Sequence, residues 1–142
     1  MKNFFVATLI CCTSTAYANF SEWKNCTEVS SKLSEADRQS FYESLKTALK
    51  KIDVAALSKL AIYPLRLKVD GKKTLVKTEK DFLAVAPKIF NQDFVNEILA
   101  EKSDNDVCNW QGLGIANGSI WIRSENFGKP TETLKIVTIN NK

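Results

Sequence analysis

The chain has 142 residues, 44% of them hydrophobic, with 20 Lys and Arg against 16 Asp and Glu, a net charge of +4 and no His. That length suits one domain with a core of its own, and the mild charge, interleaved with acids and free of a basic tract, does not argue for a nucleic-acid partner. The absence of His excludes Ser-His-Asp and Cys-His nucleophile pairs.

The start, MKNFFVATLICCTSTAYANF, sets one Lys before an apolar run at residues 4–12 and ends on Ala16-Tyr17-Ala18. This is the pattern of a secretory signal peptide with a small-x-small cleavage site, cut before Asn19. The run is far shorter than the ~20 apolar residues that span a bilayer, and no later run is long enough either. A lipid-modified start is the alternative, since Leu9 stands three residues before Cys12. The residue just before that cysteine is Cys11, where lipoprotein signals want a small residue, so the unmodified form is expected. The expected organisation is a signal peptide over 1–18 and a single domain over 19–142, exported to the periplasm or the extracellular space. Cleavage removes Lys2 and no acid, leaving a charge of +3. It also removes Cys11 and Cys12, so Cys26 and Cys108 remain. Two cysteines in an exported protein read as one disulfide, the rival being two buried thiols.

Residues 19–33 lead in. Ser34 is a plausible N-cap for SEADRQSFYESLKTALKK, with Glu35 and Asp37 in the first turn. Phe41, Leu45, Ala48, Leu49 and Ile52 form its apolar stripe. Asp53 caps a second, short helix, DVAALSKLA, with Val54, Leu57, Leu60 and Ala61 inward; Pro64 reads as its stop. Leu65, Leu67 and Val69 alternate with Arg66, Lys68 and Asp70, a half-buried strand. Asp70-Gly71 supplies a tight turn, and Lys72 to Lys77 return as a second strand. Thr78 with Asp81 is a variant capping box opening a helix at about Glu79. Pro87 is expected to break or restart that helix, and KIFNQDFVNEILAE continues with Phe90, Phe94, Val95, Ile98 and Leu99 as its apolar set.

EKSDND is a polar loop. Its SDND, at 103–106, offers oxygen ligands but lacks the Gly and distal Glu of the twelve-residue calcium loop, so it reads as a solvated acidic loop. Cys108 opens CNWQGLGIANGSIWIRSE, in which Asn117-Gly118 is a strong hairpin signal. A two-residue turn there sets Ile115 opposite Ile120, Gly114 opposite Trp121, Leu113 opposite Ile122 and Gly112 opposite Arg123. One face is then aliphatic: Leu113, Ile115, Ile120 and Ile122. The other holds Trp110, Gly112, Gly114, Ala116, Ser119, Trp121, Arg123 and Glu125. The two glycines lie opposite large side chains, an arrangement in which an aromatic covers bare backbone. FGKPTE is a second loop, and TLKIVTIN a closing strand rich in β-branched residues.

Helices, two strands, a helical insertion and three further strands make an α+β pattern, with helices on one face of a mostly antiparallel sheet. The Ser34–Lys51 helix, DVAALSKLAIYPLRLKV running from short helix into strand, and GLGIANGSIWI followed by LKIVTIN together resemble the NTF2-like (cystatin-like, ketosteroid-isomerase-like) superfamily over most of residues 34–140. The resemblance implies an N-terminal helix in the concave face of a curved sheet, forming a cone. It implies no single function, because such folds serve enzymes, ligand carriers and interaction proteins. The isomerase-like members use an acidic base with a Tyr or a protonated Asp; the dehydratase-like members use His with Asp, which this chain lacks. Tyr42 and Tyr63 are the candidates for the first arrangement, and no motif carries a catalytic residue over to either.

No GxGxxG or P-loop occurs, and with two paired cysteines and no His no zinc set is expected. Asn25-Cys26-Thr27 and Asn117-Gly118-Ser119 match the glycosylation sequon, as chance matches behind a bacterial-type signal. The expectation is a non-catalytic binding protein without cofactor or metal, an inhibitor or immunity-type protein among the possibilities. Its candidate partner face is Trp110, Trp121, Arg123 and Glu125, types enriched at binding anchors in the case of Trp and Arg. The alternative is a pocket protein that binds or transforms a small apolar ligand inside the cone. The mature protein is expected to begin at Asn19 and to carry no free thiol. Intact mass and thiol titration check both: a mass retaining residues 1–18, or two reactive thiols without reductant, contradicts the reading.

Overall fold

The computed structural model describes residue 26, residues 33–101 and residues 106–141. The signal peptide at 1–18 and most of the SDND loop lie outside the described residues. The order of elements is α1 (Glu35–Lys51), α2 (Val54–Leu60), β1 (Ala61–Val69), β2 (Lys72–Val76), α3 (Glu79–Ile89), α4 (Gln92–Ala100), β3 (Val107–Asn109), β4 (Gly112–Ile115), β5 (Ile120–Glu125) and β6 (Thr133–Asn141). The fold is α+β: among the described residues four helices pack on a six-stranded sheet, in the order β2-β1-β6-β5-β4-β3, that is not closed. Four strand pairings are antiparallel and that of β1 with β6 is parallel, so the sheet is mixed.

Local chemistry sets the helix starts. Ser34 Oγ accepts from the Asp37 amide at 3.1 Å, and the Asp37 carboxylate accepts from the Ser34 amide at 3.1 Å, a reciprocal capping box. The Ser34 hydroxyl, which donates to that carboxylate at 2.6 Å, and then the Ser34 amide hold the Asp37 carboxyl below its ordinary value. Asp53, Thr78 and Asn91 accept from the amides of Ala56, Asp81 and Phe94 in the same way. Asn91 explains one difference from the sequence reading. Pro87 lies inside α3, and the break falls later, at Phe90, because Asn91 caps a new helix there. Pro64 likewise does not stop α2, which ends at Leu60; it lies within β1, where the pairing with β6 is irregular between Ala61 and Arg66. A proline has no N–H for a ladder and is tolerated at such an irregularity.

A larger difference concerns CNWQGLGI, which is two strands and not one. Asn109 Oδ1 accepts from the Gln111 amide at 2.8 Å, and the chain reverses over Trp110-Gln111 so that Asn109 pairs with Gly112 and Cys108 with Leu113. Asn at the first and Gly at the fourth position are what such a turn favours. Four strands, not three, therefore follow the helical insertion. The next hairpin keeps the expected register, Leu113↔Ile122, Gly114↔Trp121 and Ile115↔Ile120. Its loop is longer than two residues: Ala116, Asn117 and Gly118 all have positive φ (49°, 53° and 80°). Asn140 of β6 holds this loop from the side, its amide donating to the Ser119 carbonyl at 2.8 Å and its Nδ2 to the Gly118 carbonyl at 2.7 Å.

The core lies between helices and sheet. Leu113, Ile115, Ile120 and Ile122 are buried as expected, joined by Leu65, Ile136 and Ile139 from the sheet and by Phe41, Leu45, Leu49 and Leu57 from α1 and α2. Phe82, Phe90 and Phe94 of the α3–α4 region stack edge-on or tilted at 6.0–6.2 Å between ring centres. Cys26 and Cys108 form a disulfide that ties the buried lead-in residue to the edge strand β3. Leu113→Ala or Ile122→Ala should cost about 2–5 kcal/mol, as for other buried aliphatics. Arg123→Ala, on the opposite face, should stay within about 0.5 kcal/mol. Denaturant melts that reverse this order would show that the faces are assigned backwards.

Candidate functional site

Alternation puts every second residue of each strand on the face away from the helices. On β1 these are Arg66 and Lys68, both exposed while Leu65 and Leu67 are buried. On β2 they are Lys73, opposite Lys68, and Leu75, opposite Arg66. The parallel pairing then sets Thr138 beside Arg66 and Asn140 beside Lys68, and β5 continues the row with Trp121 beside Thr138. Together with Arg123 and the β3–β4 turn at Trp110-Gln111, these residues line an open cleft of about 650 Å³. Four of its lining residues are cationic, Arg66, Lys68, Lys73 and Arg123, and none is acidic. Two large apolar side chains stand open to water there, Trp110 at 75% and Leu75 at 51% exposure.

The glycines shape this surface. A Cβ on Gly114 would meet Cε2 and Cζ2 of Trp121 at 3.0 Å, and one on Gly118 would meet its Nε1 at 3.3 Å. The Trp121 indole therefore lies against the bare backbone of both, which leaves it half-buried. Gly112 has φ +118°, and a Cβ there would overlap the Ile122 carbonyl oxygen and Cγ of Arg123. The aliphatic stem of Arg123 thus lies on Gly112 as the indole lies on Gly114.

Of the residues singled out in the sequence, Trp110, Trp121 and Arg123 converge on the cleft, Trp110 from a turn and not from a strand face. Glu125 does not line it; it ends β5 opposite Thr133. Arg66, Lys68, Lys73 and Leu75 were missed. Their outward direction was readable from the alternation in β1 and β2, but their nearness to Arg123 depends on the pairing of β1 with β6, which no local signal marks.

The two tyrosines lie elsewhere. The Tyr63 hydroxyl donates to the Ser58 carbonyl at 3.2 Å and its ring meets Phe82 edge-on. Burial, with the Glu79 charge beside it, pushes the phenol up to about 12. Glu79 is held below its ordinary value by Lys59, at 2.8 Å, and by the Ser58 hydroxyl, also at 2.8 Å. That group ties α2 to the start of α3. Tyr42 is raised by burial, with Asp106 and Glu43 nearby, and the Lys46 ammonium stands 5.9 Å over its ring. A second, more open groove of about 370 Å³ along α1 mixes Glu43, Lys51 and Asp53 with small polar residues and holds no aromatic. Among the described residues no group of three or more Cys, Asp or Glu could hold a metal ion, and no helix is long and apolar enough to cross a membrane.

No family model, no curated protein and no solved structure matches this chain.

The glycine geometry is open to test. Gly112→Ala should destabilise by about 1–3 kcal/mol, since it forces an L side chain into a disfavoured φ and against backbone. Gly114→Ala should cost less in a Trp121→Ala background than alone, because the neighbour its methyl meets is gone. Additive losses in that double-mutant cycle would show that the indole does not rest on Gly114.

Proposed function

We propose that the protein is an exported, non-catalytic binding protein of NTF2-like type, and that the cationic cleft is where its partner docks. The observation that carries this reading is the convergence of Trp110, Trp121 and Arg123 with Arg66, Lys68 and Lys73 around one open cleft. Trp and Arg are the types that most often act as binding anchors. Trp121 and the stem of Arg123 lie against glycine backbone, so a partner meets these two side chains already seated, which lowers the ordering cost of association. The Cys26–Cys108 disulfide supports export, because such bonds persist in oxidising compartments. An inhibitor or immunity-type role in the same compartment fits this surface.

The alternative, a small apolar ligand held between helices and sheet, is the weaker reading. Phe82, Phe90, Leu45, Leu49 and Leu57 occupy that space and are fully buried.

Capture from the host's periplasmic or extracellular fraction, with wild type and Arg123→Glu side by side, tests the reading. Arg123 is exposed, and Lys135 opposite it turns its ammonium to the Lys59 carbonyl, so the charge reversal should leave the melting temperature nearly unchanged. Loss of a true anchor costs about 2 kcal/mol or more of binding energy, roughly thirtyfold in affinity. A partner held equally by both proteins would show that this face is ordinary surface.

A further inference from the structure

From the cleft's charge and spacing we infer the chemistry of what it takes: an acidic segment of a protein partner, in extended conformation, lying along the strands. This rests on the reading of the cleft as a docking surface. Three observations carry it.

The first is uncompensated charge. Among the described residues, none of Arg66, Lys68, Lys73 and Arg123 forms an ion pair with another described residue, and no acid lines the cleft. Two cross-strand pairs even set like charges opposite each other, Lys68↔Lys73 between β1 and β2 and Arg123↔Lys135 between β5 and β6. Directly opposed like charges destabilise a sheet. Lys135 turns its ammonium to the Lys59 carbonyl at 3.0 Å; Lys68 and Lys73 are both exposed. Anionic groups in the cleft would relieve that repulsion.

The second is spacing. Arg66 and Lys68 are two residues apart on one strand, roughly 6.6 Å. An extended peptide presents every second side chain at the same repeat, so acids at alternate positions meet both cations.

The third is the apolar element. Leu75 stands half-exposed opposite Arg66 on β2. A peptide that mixes acidic and apolar side chains can cover it, whereas a bare phosphate backbone has nothing to place there. Single-stranded nucleic acids are held by successive aromatic platforms. Here one face of Trp121 is already taken by Gly114 and Gly118, leaving Trp110 the more open ring.

The test titrates the mature, oxidised protein by tryptophan fluorescence with a short peptide of alternating Glu and Ser carrying one central Leu. Oligogalacturonate and oligothymidylate are titrated in parallel. The peptide should bind most tightly, and its affinity should fall as salt rises. Lys73→Glu should weaken it on the order of tenfold while raising the melting temperature of the free protein, since it turns a repulsive pair into an attractive one. A merely structural lysine would not move the two readouts in opposite directions. Lys129→Glu, in the loop between β5 and β6, should leave peptide affinity unchanged. If the sugar or the oligonucleotide binds more tightly than the peptide, with the same loss in Lys73→Glu, the cleft remains a docking surface and the peptide inference fails. If none of the three binds, the inference and the reading of the cleft fall together.

Discussion

One parallel strand pairing makes a single sheet out of two distant parts of the chain. β1 and β2 form a hairpin early; β3 to β6 form a meander after the helical insertion, and only the contact of β1 with β6 joins them. Antiparallel neighbours need no more than a turn, but a parallel neighbour must be reached through a long connection. Here that connection carries α3 and α4 as well as four strands, β2 to β5. Both faces of the sheet depend on it. On one side it brings Ala61 to Ile136 and Leu67 to Ile139, completing the floor on which the helices pack. On the other it sets the cations of the first hairpin beside those of the meander.

The same pairing separates what the sequence discloses from what it hides. Short-range chemistry was legible: the caps at Ser34, Asp53 and Thr78, the Asp70-Gly71 turn, and the aliphatic side of the β4–β5 hairpin follow from residue type and period. Strong punctuators such as Pro64, Pro87 and Asn117-Gly118 mask the quieter signals beside them. Pro87 drew the helix break to itself although Asn91 supplies the cap, and Asn117-Gly118 obscured the quieter Asn109 to Gly112 turn a few residues before it. The candidate site was half legible for a different reason. Trp121 and Arg123 could be placed together because two residues of one strand share a face. Arg66 and Lys73 could not be added to them, because alternation gives the side of a strand and says nothing about which strand lies next to it.

The two faces also obey different rules. The helix side is closed by large aliphatic and aromatic groups, and its order comes from shape. The open side is built from cations, two tryptophans, Leu75, a few uncharged polar side chains and bare glycine backbone. Trp121 belongs partly to both: its ring covers Gly114 and Gly118, so it finishes the sheet where a β-branched residue would stand clear. Arg123 does the same over Gly112 with its methylenes while its guanidinium reaches the cleft. Side chains seated in this way lose little further freedom when something binds over them.

The disulfide has a mechanical consequence. It joins residues 82 apart in sequence, and every helix among the described residues lies between them, as do β1 and β2. A force applied at the two ends of the described chain passes through the sulfur–sulfur bond and bypasses that segment. Fully stretched, 82 residues would reach roughly 280 Å. While the bond is closed that length is withheld, and pulling can extend only the segment that follows Cys108, from the end of β3 through β6. The oxidised protein is therefore an elastic element of short travel, whose reach is set by where a single covalent bond falls in the chain.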